Sequence, residues 1–160
     1  MIAFKRGVGS KAALDVGIVV KIREWLKSVG IENYAINDDF SIDVFRFVNL
    51  AFKGINGLPS YIQFNKIKGA FDIDDIGLDS LRGCPRYVDG YFSCQMNNLT
   101  NLIGGPEIVG RSYYANANNL ISVEGLARKI GGNLDLVDNS VVFKKNDIKK
   151  ISKIMGYTYV

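Results

Sequence analysis

There is no histidine anywhere in the 160 residues. The commonest general base near neutral pH and the commonest zinc ligand are therefore missing together, which weighs against an ordinary hydrolase and against a metal centre. Cysteine is scarce: Cys84 and Cys94 stand ten positions apart and outside any CxxC spacing, so neither a metal knuckle nor a disulfide framework is expected. Long apolar runs are absent as well. The longest, Val16 to Val20, contains a glycine and is followed by Lys21 and Arg23, well short of the roughly 20 residues that a membrane-spanning helix requires. No apolar segment of signal-peptide length follows Lys5, Arg6 and Lys11, so the expectation is a cytoplasmic protein that does not engage a membrane. Like-charge and low-complexity blocks are missing too. With 48% apolar residues the chain has the material for a core rather than the composition of a disordered segment.

What the sequence does contain is repetition at a period of 21 residues. Leu78, Leu99 and Leu120 are in register, and Val141 continues the column. The same step links Gly83, Gly104 and Gly125, then Ile67, Val88, Val109 and Ile130, then Gly69, Gly90 and Gly132, with Arg111 interrupting the last set. Within each period one stretch alternates as a strand does: Phe71-x-Ile73, Phe92-x-Cys94, Tyr113-x-Ala115 and Leu134-x-Leu136. Three residues further on stand Asn97, Asn118 and Asn139. A divergent repeat starts near Val44, with Val44, Val48, Leu50, Lys53 and Ile55 matching Val109, Tyr113, Ala115, Asn118 and Leu120. Two extra residues between Ile55 and Ile67 make it 23 long. One strand per repeat gives five strands.

The unit L/F-x-L-x-x-N-x-L resembles the short form of the leucine-rich repeat, about 21 residues long, over about two thirds of the chain. The whole is similar to small phage and bacterial proteins that join an N-terminal helix to a few such repeats. That resemblance implies an α+β fold: a leucine-rich-repeat-like β-solenoid of about five short parallel strands, capped by an N-terminal amphipathic helix and a short C-terminal helix. It also implies a phage-encoded chain acting in the host cytoplasm. The pattern departs from the family at Ile76 and Lys53, which occupy the asparagine position, and at Arg111 in the glycine column.

Stacked repeats bury their apolar faces only against one another, so a single repeat would not fold. The asparagines follow each strand at a turn, where an inward amide has to be satisfied; they are read as a structural ladder that hydrogen-bonds the turns of adjacent repeats. Pro85 and Pro106, one period apart, make the return segment extended or 3₁₀ rather than α-helical. Cys94 falls at an inward position, where a free thiol acts as a small hydrophobe. Open ends need covering. Leu14, Ile18, Ile22, Trp25, Leu26 and Val29 predict an amphipathic helix over residues 11–29, with Ser10 as N-cap and Gly30 at its stop. Ile148, Ile151, Ile154 and Met155 predict a second over 147–155, capped by Asn146, after which Tyr157 to Val160 pair as a short strand or trail. One domain is expected, with a cap at 1–43, the array at 44–143 and a helical cap at 144–160.

Residues between the inward positions point outward and align from repeat to repeat. They supply the candidate protein-binding face: Phe47, Asp72, Asp74, Tyr91, Ser93, Gln95, Tyr114, Asn116 and Asp135. Tyr91 and Tyr114 are its anchors, since tyrosine combines large area with a polar tip. The function read from this is a non-enzymatic protein–protein interaction module without cofactor or metal, binding a bacterial host protein that it inhibits or redirects. Two other readings stand beside it. Lys144, Lys145, Lys149, Lys150 and Lys153 would contact phosphates in a nucleic-acid-binding protein; the same lysines also suit the wet face of a terminal helix. Asp72, Asp74 and Asp135 would serve acid and base roles in a carbohydrate-active enzyme, against which stands the lack of a pocket to raise one pKa.

Overall fold

The computed structural model describes residues 9–160, with side chains from residue 15 onward. A helix, α1 (Gly9–Ser28), precedes an antiparallel pair, β1 (Tyr34–Ile36) and β2 (Ile42–Val44). From β2 the chain winds as a β-solenoid with two short strands in each coil. One sheet takes β2, β4 (Phe64–Ile67), β6 (Tyr87–Val88), β8 (Ile108–Val109), β10 (Lys129–Ile130) and β12 (Lys153–Ile154), with β1 at its edge. The other takes β3 (Val48–Asn49), β5 (Phe71–Asp72), β7 (Phe92–Ser93), β9 (Tyr113–Tyr114), β11 (Leu134–Asp135) and β13 (Thr158–Tyr159). Apart from β1, every pairing is parallel. The solenoid therefore makes about six turns, one more than the repeats legible in the sequence, and carries two strands per turn where the alternation showed one.

Its regularity follows from the 21-residue step. Lys66, Tyr87, Ile108 and Lys129 are successive in-register partners at that interval. The first step, Asp43 to Lys66, is 23 residues, and the last, Lys129 to Lys153, is 24 because it houses the short helix α2 (Lys145–Ile151). Val44, Ile67, Val88, Val109 and Ile130 line the core from one sheet. Val48, Phe71, Phe92, Tyr113 and Leu134 line it from the other, followed by Leu50, Ile73, Cys94, Ala115 and Leu136. Aromatic rings run through the coils as a column. Trp25 of α1 lies 6.3 Å from Phe64, Phe64 5.1 Å from Phe71, Phe71 6.0 Å from Phe92, and Phe92 4.9 Å from Tyr113. Cys84 and Cys94 are both free and buried, and burial raises both thiols.

Two turn columns hold the coils in step. Gly83, Gly104 and Gly125 adopt φ of +89°, +88° and +86°, a region that only glycine enters at little cost. A Cβ at Gly125 would also run into the carbonyl of Leu102. The second column is left-handed without glycine: Asp75, Met96, Ala117 and Asp138 have φ between 51° and 55°. The last three stand immediately before the asparagines. Asn97 Oδ1 accepts from the Ile76 and Leu78 amides at 3.2 and 2.9 Å, while its Nδ2 donates to the carbonyls of Ile73, Cys94 and Gln95. Asn118 and Asn139 repeat the pattern one coil at a time, accepting from the Leu99 and Leu120 amides. In the first coil Lys53 holds this position, and its Nζ donates to the Val29 carbonyl at 3.2 Å, tying the array to the end of α1.

Helix α1 covers the first coil with Ile22 and Leu26, flanked by half-buried Ile18 and Trp25, and buried Val29 just past its end adds to the cover. Leu14 lies outside the residues whose side chains are described, and Ser10 falls inside the helix rather than before it. The helix stops at Gly30 (φ +75°), with the Ile31 amide donating back to the Leu26 carbonyl, which satisfies an end of the helix that would otherwise be orphaned. Helix α2 is shorter than its apolar spacing predicts. Asn146 lies within it, Lys144 takes the N-cap position without a side-chain bond, and Ile148 alone is buried. Ser152 leaves the helix because its Oγ donates to the Ala127 carbonyl at 2.6 Å. Residues 153–155 then extend along β10, so that Ile154 sits in a strand and Met155 is exposed. No described helix is long and apolar enough to cross a membrane.

Candidate interaction face

The second sheet, β3 to β13, presents three outward columns. Phe47, Ala70, Tyr91, Ser112, Asn133 and Tyr157 form the first, and Asn49, Asp72, Ser93, Tyr114, Asp135 and Tyr159 the second. Ala51, Asp74, Gln95, Asn116 and Val137 form the third. All nine residues singled out in the sequence fall on this one face. Phe47 is 69% exposed and Tyr91 is exposed beside half-buried Tyr114, their rings edge to face at 6.1 Å. Tyr157 and Tyr159 add two more rings, 6.4 Å apart. They escaped the sequence reading because α2 lengthens the last repeat and breaks the 21-residue register, although their own alternation with Thr158 and Val160 was visible.

Two of the nine do not face water. Ser93 is 1% exposed and Asp74 is 8% exposed. Ser93 lies between Tyr91, two residues earlier and just before β7, and Tyr114, its partner on the next strand. Its hydroxyl donates to Asp74 Oδ1 at 2.7 Å. The Gln95 amide donates to the same oxygen at 2.7 Å, and Gln95 Nε2 donates to Asp74 Oδ2 at 3.0 Å and to Ser93 Oγ at 2.7 Å. Burial pushes the Asp74 carboxyl up from its ordinary value and the charge of Asp72 adds to this, while the bonds from Ser93 and Gln95 oppose it. Burial also raises the Tyr91 phenol, helped by the charges of Asp72 and Asp74. Asn116 Oδ1 is buried without a hydrogen-bond partner.

Asp72 and Asp135 behave differently. Each uses Oδ1 to accept the amide two residues on, from Asp74 at 3.2 Å and Val137 at 3.1 Å. Asn49, in the same column, accepts the Ala51 amide in the same way at 3.0 Å. Three strand intervals separate Asp72 from Asp135, about 14 Å at about 4.8 Å per interval.

Among the described residues these three columns contain no lysine or arginine. Cations collect on the first sheet instead. Lys66, Lys129 and Lys153 share one outward column, with Lys68 beside them and Nζ 5.6 Å from the Phe45 ring centre. Lys129 and Lys153 are direct in-register partners, an arrangement that costs free energy between like charges. Lys144, Lys145, Lys149, Lys150 and Lys153 are all exposed around α2 and β12, away from the aromatic face. Lys150 pairs with Asp147 at 2.7 Å and lowers that carboxyl.

Set against protein family models, curated proteins and solved structures, the chain matches none of them.

Proposed function

We propose that the protein is a non-enzymatic binding module and that the face of the second sheet docks a protein partner. The observation that supports this most directly is the set of exposed rings, Phe47, Tyr91, Tyr157 and Tyr159, set with Tyr114 on one face of the solenoid, where Tyr91 pairs with Tyr114 and Tyr157 with Tyr159. Exposed tyrosine among small polar groups is the composition of interface centres. Catalysis by the aspartates fits poorly. Asp72 and Asp135 lie farther apart than the roughly 6.5–9.5 Å of an inverting pair, and the oxygens of Asp74 are engaged by Ser93 and Gln95.

The leucine-rich-repeat resemblance belongs to the same proposal, with a phage-encoded chain that inhibits or redirects a bacterial host factor in the cytoplasm. Affinity capture from a bacterial lysate tests it, comparing the intact protein with the Tyr91→Ala/Tyr114→Ala variant after nuclease treatment. A protein retained by the former and lost by the latter is expected. Equal retention by both would remove the face from consideration. The adjacency of Lys129 and Lys153 favours a second reading, in which the basic sheet and α2 engage nucleic acid. Capture that disappears with nuclease and survives the tyrosine changes would select it.

A further inference from the structure

We infer that the segment docking on the second sheet is a cationic one, an extended polypeptide stretch carrying arginine or lysine. This rests on the docking face proposed above and names the chemistry of its occupant. Across four consecutive coils the second column runs Asp72 on β5, Ser93 on β7, Tyr114 on β9 and Asp135 on β11. Ser93 is buried, and exposed Tyr91, in the neighbouring column just before β7, sets its ring against that of Tyr114, so two rings lie between the two acids. Among the described residues no cation pairs with these carboxylates, and Asp74, whose carboxyl is raised by burial first, is raised further by the charge of Asp72 two residues away. Unrelieved repulsion of this kind is relieved by a partner of opposite sign.

The geometry suits a strand lying along the solenoid axis. About 14 Å separates the outer aspartates, which an extended chain crosses in about four residues. The Oδ1 atoms of Asp72 and Asp135 are taken by backbone amides, while each Oδ2 has no partner among the described residues and is left for a guanidinium or ammonium. The ring faces of Tyr91 and Tyr114 between them are the natural seat for a further cation. A polyanion would meet only like charge here.

The test uses the full chain and a fluorescein-labelled nona-arginine peptide, with nona-glutamate and cellohexaose as competing ligand classes, read by fluorescence anisotropy at low and raised salt. Asp72→Asn/Asp135→Asn is the informative variant, because Asn49 already makes the same turn bond in the same column and shows that the amide fits. Nona-arginine affinity should fall roughly tenfold or more in this variant, with circular dichroism unchanged. Lys129→Gln/Lys153→Gln, on the opposite sheet, should bind as the parent does. Equal nona-arginine binding by the parent and the double asparagine variant overturns the inference, as does preference of the face for nona-glutamate or cellohexaose. If lysate capture depends on Tyr91 and Tyr114 but not on Asp72 and Asp135, the docking face stands and its cationic occupant falls. If neither pair matters, both fall.

Discussion

At the scale of single residues, the asparagine ladder and the Asp74 cluster put comparable hydrogen bonding to different ends. Asn118 is buried and closes bonds to two coils at once, through the Leu99 amide and the Cys94 and Ala115 carbonyls. Asn118→Ala strands those groups and should cost about 1–3 kcal/mol, measured by urea titration. A midpoint equal to that of the parent would show that water replaces the side chain freely. Asp74 stands the other way. Its carboxyl is raised in the fold above the ordinary value of 3.8, so it favours folding when protonated, and that contribution fades as pH rises through the folded value. Asp74→Asn carries no such penalty. Its melting temperature relative to the parent should therefore climb between about pH 3 and about pH 7. A difference that stays flat, or declines, would mean that Ser93 and Gln95 compensate the charge in full.

At the scale of elements, α1 is the part whose contribution is simplest to isolate. Leu26 is wholly buried between the helix and the first coil, and Leu26→Ala should cost about 2–5 kcal/mol. Because each coil touches only its neighbours, amide exchange should quicken more at Val44 and Val48 than at Tyr113 and Ala115. Uniform acceleration would instead indicate one cooperative block. The helix and the inward columns were legible in the sequence because their periodicity spans many residues. The strands beginning at Tyr87, Ile108 and Lys129 were not, since two residues are too few to show an alternation, even though Val88, Val109 and Ile130 formed an evident column. The burial of Ser93 and Asp74 was hidden for another reason. Whether an outward residue meets water depends on neighbours about 21 positions away, and Gln95 and Tyr114 are set against them by the coil rather than by local sequence.

At the scale of the molecule, the two sheets divide the charge. One face of the solenoid is aromatic and acidic, the other basic, and the net charge of +4 conceals both. Neither bulk composition nor a charge plot along the chain separates them, because residues of the two faces alternate within every repeat. The aromatic column has an optical consequence. The only tryptophan, Trp25, stands at one terminus of the line that passes through Phe64, Phe71 and Phe92 to Tyr113. Indole emission therefore reports on the first coils alone, and a denaturation curve followed by fluorescence can part from one followed by far-ultraviolet ellipticity whenever the two ends of the array melt separately.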